Sequence, residues 1–163
     1  MSRNAKLVLA FAVLAVVCGG AACFAAVQIA PALVGLSCEP SQTPSVSPVY
    51  TDTTTVARLF PKLGAFQEAH WQTREARPRT CPDIGPMDYV KEGVVTLLPE
   101  TAQQYREGYL WSFETPEIPP ALAGFAPAGA RWSHSQQFDA MIGTGRFYVD
   151  PVSPALFFVH HTT

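Results

Sequence analysis

The chain has 163 residues, 48% of them hydrophobic and 15% charged, with a formal net charge of −2. Apart from Arg3 and Lys6, every basic residue lies beyond Cys38, together with all 13 acidic residues, so acids outnumber bases there. That balance excludes the basic face a nucleic-acid partner requires and an electrostatic grip on anionic lipid.

From the N-terminus, residues 1–6 read as a short cytoplasmic tail carrying Arg3 and Lys6. Leu7 to Cys38 contains no charged side chain at all. A helix that spans the hydrocarbon core needs about 20 apolar residues. Residues 7–31 satisfy this, and Pro31 offers a natural end. The run exceeds the apolar core of a cleaved signal peptide, about 7–15 residues. It therefore reads as a transmembrane signal-anchor helix whose partner is the lipid bilayer, although Cys23-Phe24-Ala25 and Ala30-Pro31-Ala32 resemble cleavage sites. The positive-inside rule keeps Arg3 and Lys6 in the cytoplasm and places the remainder outside, at the cell membrane of an envelope.

Residues 38–55 are rich in Ser, Thr and Pro and read as an extended stalk. About 125 residues follow the anchor, enough for one domain. All aromatic residues except Phe11 and Phe24 fall in this part, and disordered chains are poor in aromatics, so residues 56–163 are expected to fold. Only Cys38 and Cys81 lie beyond the apolar run. In an oxidising compartment they are expected to form one disulfide, closing a loop of about 43 residues that contributes about 3–4 kcal/mol by restricting the unfolded state.

Val56, Leu59 and Phe60 share one helical turn, stopped by Pro61. Ala65 to Arg77 suits helix and strand about equally, and Arg79 to Pro86 reads as loop. Gly93 to Leu98 is a short β-branched apolar run, expected to be a buried strand. Pro99 and Glu100 then suit a helix first turn. Ala102, Tyr105, Arg106 and Tyr109 follow on one face, and Gly108 weakens the helix end. The prolines between Glu114 and Gly129 leave room only for one helical turn near Ala121. Beyond them lie Gln136 to Ile142, Arg146 to Asp150 and Ala155 to His161, separated by Gly and Pro turns. These read as a three-stranded antiparallel meander, with Phe147 and Val149 facing away from Arg146, Tyr148 and Asp150. The expected fold class is α+β: a transmembrane helix, then a small extracytoplasmic domain with this C-terminal meander and one or two short helices.

Chemistry-bearing residues are sparse. Ser133-His134-Ser135 with Asp139 is the one local cluster of catalytic type, and His134 is its candidate general base. A nucleophile needs a base within hydrogen-bond reach and a third group to orient that base; side chains adjacent on a strand point apart, which works against such a frame. His160 and His161 diverge for the same reason, and neither Cys38 nor Cys81 has a second ligand at metal spacing. No metal or cofactor is expected. Trp71, Trp111 and Trp132 are candidates to line a groove for a glycan or an extended peptide, while core packing competes for the same rings. The expected function is a membrane-anchored envelope protein acting as a binding or assembly module without catalysis, its partner an envelope protein or glycan. The alternative is a secreted or anchored hydrolase of envelope polymers that uses His134.

Overall fold

The computed structural model describes residues 40–81 and 85–162. The expected anchor at residues 7–31 and Cys38 lie outside them; no helix among the described residues is long and apolar enough to cross a membrane. Pro40 to Thr163 forms one compact unit of α+β class, built on a six-stranded antiparallel sheet.

In sequence order the unit runs α1 (Thr53–Leu59), a 3₁₀ turn (Pro61–Leu63), β1 (Phe66–Glu75), β2 (Tyr89–Leu97), α2 (Pro99–Gly108) and β3 (Ser112–Phe113). It continues through α3 (Pro120–Ala123), β4 (Ser133–His134), α4 (Gln136–Ile142), β5 (Arg146–Val149) and β6 (Ala155–Thr162). The strand order across the sheet is β1-β2-β6-β5-β4-β3. Local chemistry explains most boundaries. Asp52 caps α1 by accepting hydrogen bonds from the Thr54 and Thr55 amides at 3.0 and 3.1 Å, and Pro61 turns the backbone after Phe60. Pro99 starts α2, where a missing N–H costs nothing.

The sheet is covered on both faces. On one, α1, the 3₁₀ turn, α2 and α4 contribute Val56, Phe60, Leu63, Ala102, Phe138 and Ile142 to a core with Trp71, Val95, Phe147 and Phe158. On the other, the proline-rich segment between β3 and β4 lays Leu122 and Trp132 over Val94, Tyr148 and Phe157. We call these the helix face and the cap face. β2 and β6 pair over eight residues, Tyr89↔Thr162 to Thr96↔Ala155. Gly93 lies between Trp71 and Phe158 in that ladder. A Cβ there would stand 2.6 Å from the Trp71 Cβ and 2.7 Å from the His70 carbonyl oxygen, so only glycine lets the two large rings flank β2.

Two expectations are corrected. The C-terminal meander is a two-stranded hairpin, because Gln136–Ile142 is helical. Phe138, Met141 and Ile142 recur at helical spacing, the Ser135 side chain accepts from the Phe138 amide at 3.4 Å, and the helix closes where Gly143 N–H bonds to the Asp139 carbonyl. The folded unit also begins at Pro40 rather than Val56. Residues expected to form a stalk run along the outer edge of β1: Ser47 N–H donates to the Thr73 carbonyl at 2.8 Å, and Tyr50 and Trp71 exchange bonds at 2.7 and 2.9 Å. The buried Glu75 carboxylate holds this strap, accepting from the Ser45 amide at 3.0 Å and from Arg79 at 2.6 Å.

Phe157 is fully buried beneath Trp132 and Tyr148. Phe157→Ala should therefore cost about 3–5 kcal/mol in urea denaturation, and Arg146→Ala, at an exposed position, much less. Asp150 at the β5–β6 turn gives a pH signature. Burial works against its charge, but bonds from Ser153 and from the Arg131 and Val152 amides outweigh that and hold its carboxyl below its ordinary value of 3.8. A depressed folded pKa contributes stability that is present above 3.8 and is lost as pH falls through the folded value. The stability gap between wild type and Asp150→Asn, measured by denaturation, should be widest near neutrality and narrow as pH drops below about 4.

Candidate functional site

Residues paired directly across antiparallel strands share a face. The register sets Gln72, Glu92, Val159 and Arg146 in one row on the cap face, across β1, β2, β6 and β5. The next row runs across all six strands: His70, Val94, Phe157, Tyr148, His134 and Ser112. The middle of this second row lies under the proline-rich segment, which His70 also meets by stacking on Phe125 with ring centroids 3.8 Å apart. The first row floors an open cleft of about 1150 Å³, walled by Pro116 to Ala121 on one side and by Thr144 on another. Glu92 is buried in that floor, accepts from Gln72 Nε2 at 3.0 Å and forms an ion pair with Arg74 Nε at 3.3 Å, so its charge is compensated. The Gln72 carbonyl oxygen is buried and has no hydrogen-bond partner among the described residues.

His134 sits at the other end of the face. Its Nε2 lies 2.7 Å from Asp139 Oδ2, and its Nδ1 lies 3.4 Å from Glu114 Oε2. The turn from β4 through the Ser135 cap into α4 brings Asp139 back over the strand that carries His134. Asp139 is anchored in turn, its Oδ1 accepting from the Phe147 amide at 2.9 Å. Glu114 Oε1 accepts from Arg146 at 2.6 Å and from the Tyr148 hydroxyl at 3.3 Å. The Arg146 guanidinium lies 5.7 Å from the centre of the Tyr148 ring. Burial, and more weakly the neighbouring carboxylates, push the Tyr148 phenol above its ordinary value, while Arg146 opposes them. A second, smaller pocket of about 380 Å³ opens beside His134, bounded by Leu110, Ser112 and Gln136. Arg146 lines both openings.

The structure thus joins His134 and Asp139, as the local cluster suggests, but not the flanking serines. Ser133 pairs with Val149 on the helix face, and the Ser135 hydroxyl oxygen accepts from the Phe138 amide as a helix cap. Among the described residues no hydroxyl is hydrogen-bonded to His134, and no group of three side chains is placed to hold a metal. The three tryptophans do not meet. Trp71 and Trp111 pack on the helix-face core, their indole N–H groups donating to the Asp52 and Tyr105 carbonyls at 3.1 and 3.0 Å. Trp132 is buried on the cap face. His160 turns to the Thr144 carbonyl and the Phe60 ring, and His161 to the cleft. Cys81 is described while Cys38 is not, and their pairing lies outside the described residues.

Glu114, Arg146 and the Gln72–Arg74–Glu92 group do not stand out in the sequence. They come from four separate strands or connections and meet only through sheet register, so no local motif announces them. No protein-family model matches the chain, and neither do any curated protein or solved structure.

His134→Ala would leave Asp139 Oδ2 without its imidazole partner and take one contact from Glu114. Loss of about 1–3 kcal/mol is expected by urea denaturation, with Ser112→Ala at the exposed edge close to wild type.

Proposed function

We propose that the chain is a single-pass, membrane-anchored envelope protein that acts by binding, with residues 7–31 in the bilayer and the α+β unit outside the cytoplasm. The uncharged run from Leu7 to Cys38, preceded by Arg3 and Lys6, supports the anchor. The Cys38–Cys81 bridge belongs to the same proposal, since it suits an oxidising compartment and ties the base of the unit together. The observation that carries the binding reading is the open cleft across the Gln72–Glu92–Val159–Arg146 row. It places accessible guanidinium groups beside aliphatic walls, the pairing of polar anchors and apolar surface that ligand sites use.

The hydrolase reading has one specific observation in its favour. The 2.7 Å His134–Asp139 contact is the orienting half of a nucleophilic triad. The 3.4 Å approach of Glu114 to the other ring nitrogen stands where a nucleophile or attacking water would be activated, and for that reason binding is preferred.

Full-length protein held in lipid nanodiscs separates these readings. Its intact mass should begin at Met1, and non-reducing peptide mapping should find Cys38 linked to Cys81. A mass beginning near Val27 or Leu33, or two free thiols, would remove the anchor or the bridge respectively. Exposed to solubilised envelope extract, the wild type should retain material that Thr144→Trp, which fills the cleft, retains several-fold less. Equal retention would remove the cleft as the binding site. Release of soluble fragments from envelope polymers that stops with His134→Ala would establish the hydrolase instead.

A further inference from the structure

The cleft's lining also identifies the class of ligand. We propose that it binds an extended peptide segment of a partner protein, neutral or acidic, with aliphatic side chains at alternate positions. This rests on the binding reading above.

Three observations converge. The first is polarity. Arg74 bonds Glu92 through Nε and Arg146 bonds Glu114 through one terminal nitrogen. A guanidinium carries five N–H donors, so both side chains, 36% and 51% exposed, keep donors for the cleft. Between them Gln72 is 3% exposed, and its carbonyl oxygen, which has no donor among the described residues, is itself buried and closed to a ligand. Its orientation is set by Glu92, which only the amide nitrogen can serve. A floor with surplus donors is what the successive carbonyl groups of a peptide backbone satisfy, one per residue.

The second is the wall. Pro116, Ile118 and Pro119 line the wall, and Val46 and the floor residue Val159 add to the apolar lining. These are aliphatic surfaces that take Leu, Val or Ile side chains. The lining holds two aromatic rings, Tyr148, which is 6% exposed and already covered by Arg146, and the smaller imidazole of His161. Among the described residues the lining therefore offers no exposed Trp, Tyr or Phe ring as a platform for a sugar face, and this favours a peptide over a glycan.

The third is length. The cleft crosses four strands, roughly 14 Å at about 4.8 Å per strand. An extended peptide rises about 3.3 Å per residue, so about four to five residues fill it, with alternate side chains directed at one wall. The lining holds two guanidiniums, Arg74 and Arg146, and two carboxylates, Glu92 and Glu117; Glu92 is buried, so an acidic residue in that stretch can pair with the spare donors of Arg74 and Arg146.

The test uses the full-length protein in nanodiscs and two probes: a phage-displayed library of 12-residue random peptides and an array of glucan and chitin oligosaccharides. Selection should enrich a motif with aliphatic residues two apart and an acidic residue near them. A synthetic peptide of that motif should bind wild type and bind Ala121→Trp, Thr144→Trp and Arg146→Glu at least about tenfold more weakly. Arg58→Glu, on α1 over the opposite face, should bind as wild type. Circular dichroism melting establishes that the two tryptophan variants are folded, so loss in them reports the cleft. Oligosaccharide binding abolished by the same variants, with no peptide motif enriched, would overturn the peptide and leave the binding reading standing. A peptide motif whose binding ignores all three cleft variants would overturn the site. Neither probe binding, together with envelope-extract retention indifferent to Thr144→Trp, would overturn both.

Discussion

Everything else in this unit depends on the β2–β6 pair. Its residues are apolar on both sides: Val95 and Leu97 with Leu156 and Phe158 on one face, Val94 with Ala155 and Phe157 on the other. A strand pair with no polar face must be covered twice. The fold meets that demand with two unlike covers. Helices close one face, where Phe138 and Ile142 one turn apart make an apolar stripe. A proline-rich segment closes the other, and with so few regular hydrogen bonds of its own it covers only the part it touches. The cleft is the part of the cap face it leaves open.

That incompleteness is why charged residues can stand on a sheet face at all. Glu92 lies one row from Val94 on the same side of β2, yet one is paired with Gln72 and Arg74 and the other is packed under Leu122. The boundary between the two environments falls along the strands, and Arg146 straddles it. It lines the cleft and also holds Glu114, which faces His134. Glu114 stands at the start of the proline-rich wall, two residues before Pro116. The His134–Asp139–Glu114–Arg146 network therefore has a structural consequence apart from chemistry: it pins the near end of the wall to β4 and β5. A variant that loosens Glu114 should disturb the cleft as well as the pocket beside His134.

How much of this is legible in the sequence follows from how local each signal is. Features set by near neighbours are readable: the Val56-to-Phe60 helical turn stopped at Pro61, the Pro99 start of α2, the β5–β6 hairpin and the alternation of Phe147 and Val149 against Tyr148. Gln136–Ile142 misleads because short apolar runs suit strand and helix alike; Phe138, Met141 and Ile142 at helical spacing, behind a Ser cap, are the signal that decides it. The Ser/Thr/Pro strap has the composition of a stalk. What orders it is the free edge of β1 and the Glu75–Arg79 pair thirty and more residues away, neither of which composition can express. His134 with Asp139 is visible because five residues separate them. Glu114, Arg146, Gln72 and Glu92 are invisible as a group because their proximity is created by the register of non-local strand pairs.

The treatment of the sheet edges bears on where a partner can dock. An unpaired strand edge invites another strand, and recruitment by edge addition is a common way to bind peptides. Here one edge, β1, is already occupied by the strap, through the Tyr50–Trp71 and Ser47–Thr73 bonds. The other edge, β3, is two residues long, too short to register an added strand firmly, although its Phe113 and the nearby Leu110 are 70% and 80% exposed. With one edge filled and the other abbreviated, the larger cleft among the described residues that offers both hydrogen-bonding groups and apolar walls is the uncovered part of the cap face. Under the proposed binding function, a ligand there would cross the strands instead of extending them, and its contacts would come from side chains. Affinity should then depend on Arg74, Arg146 and the proline wall far more than on any backbone group of the sheet.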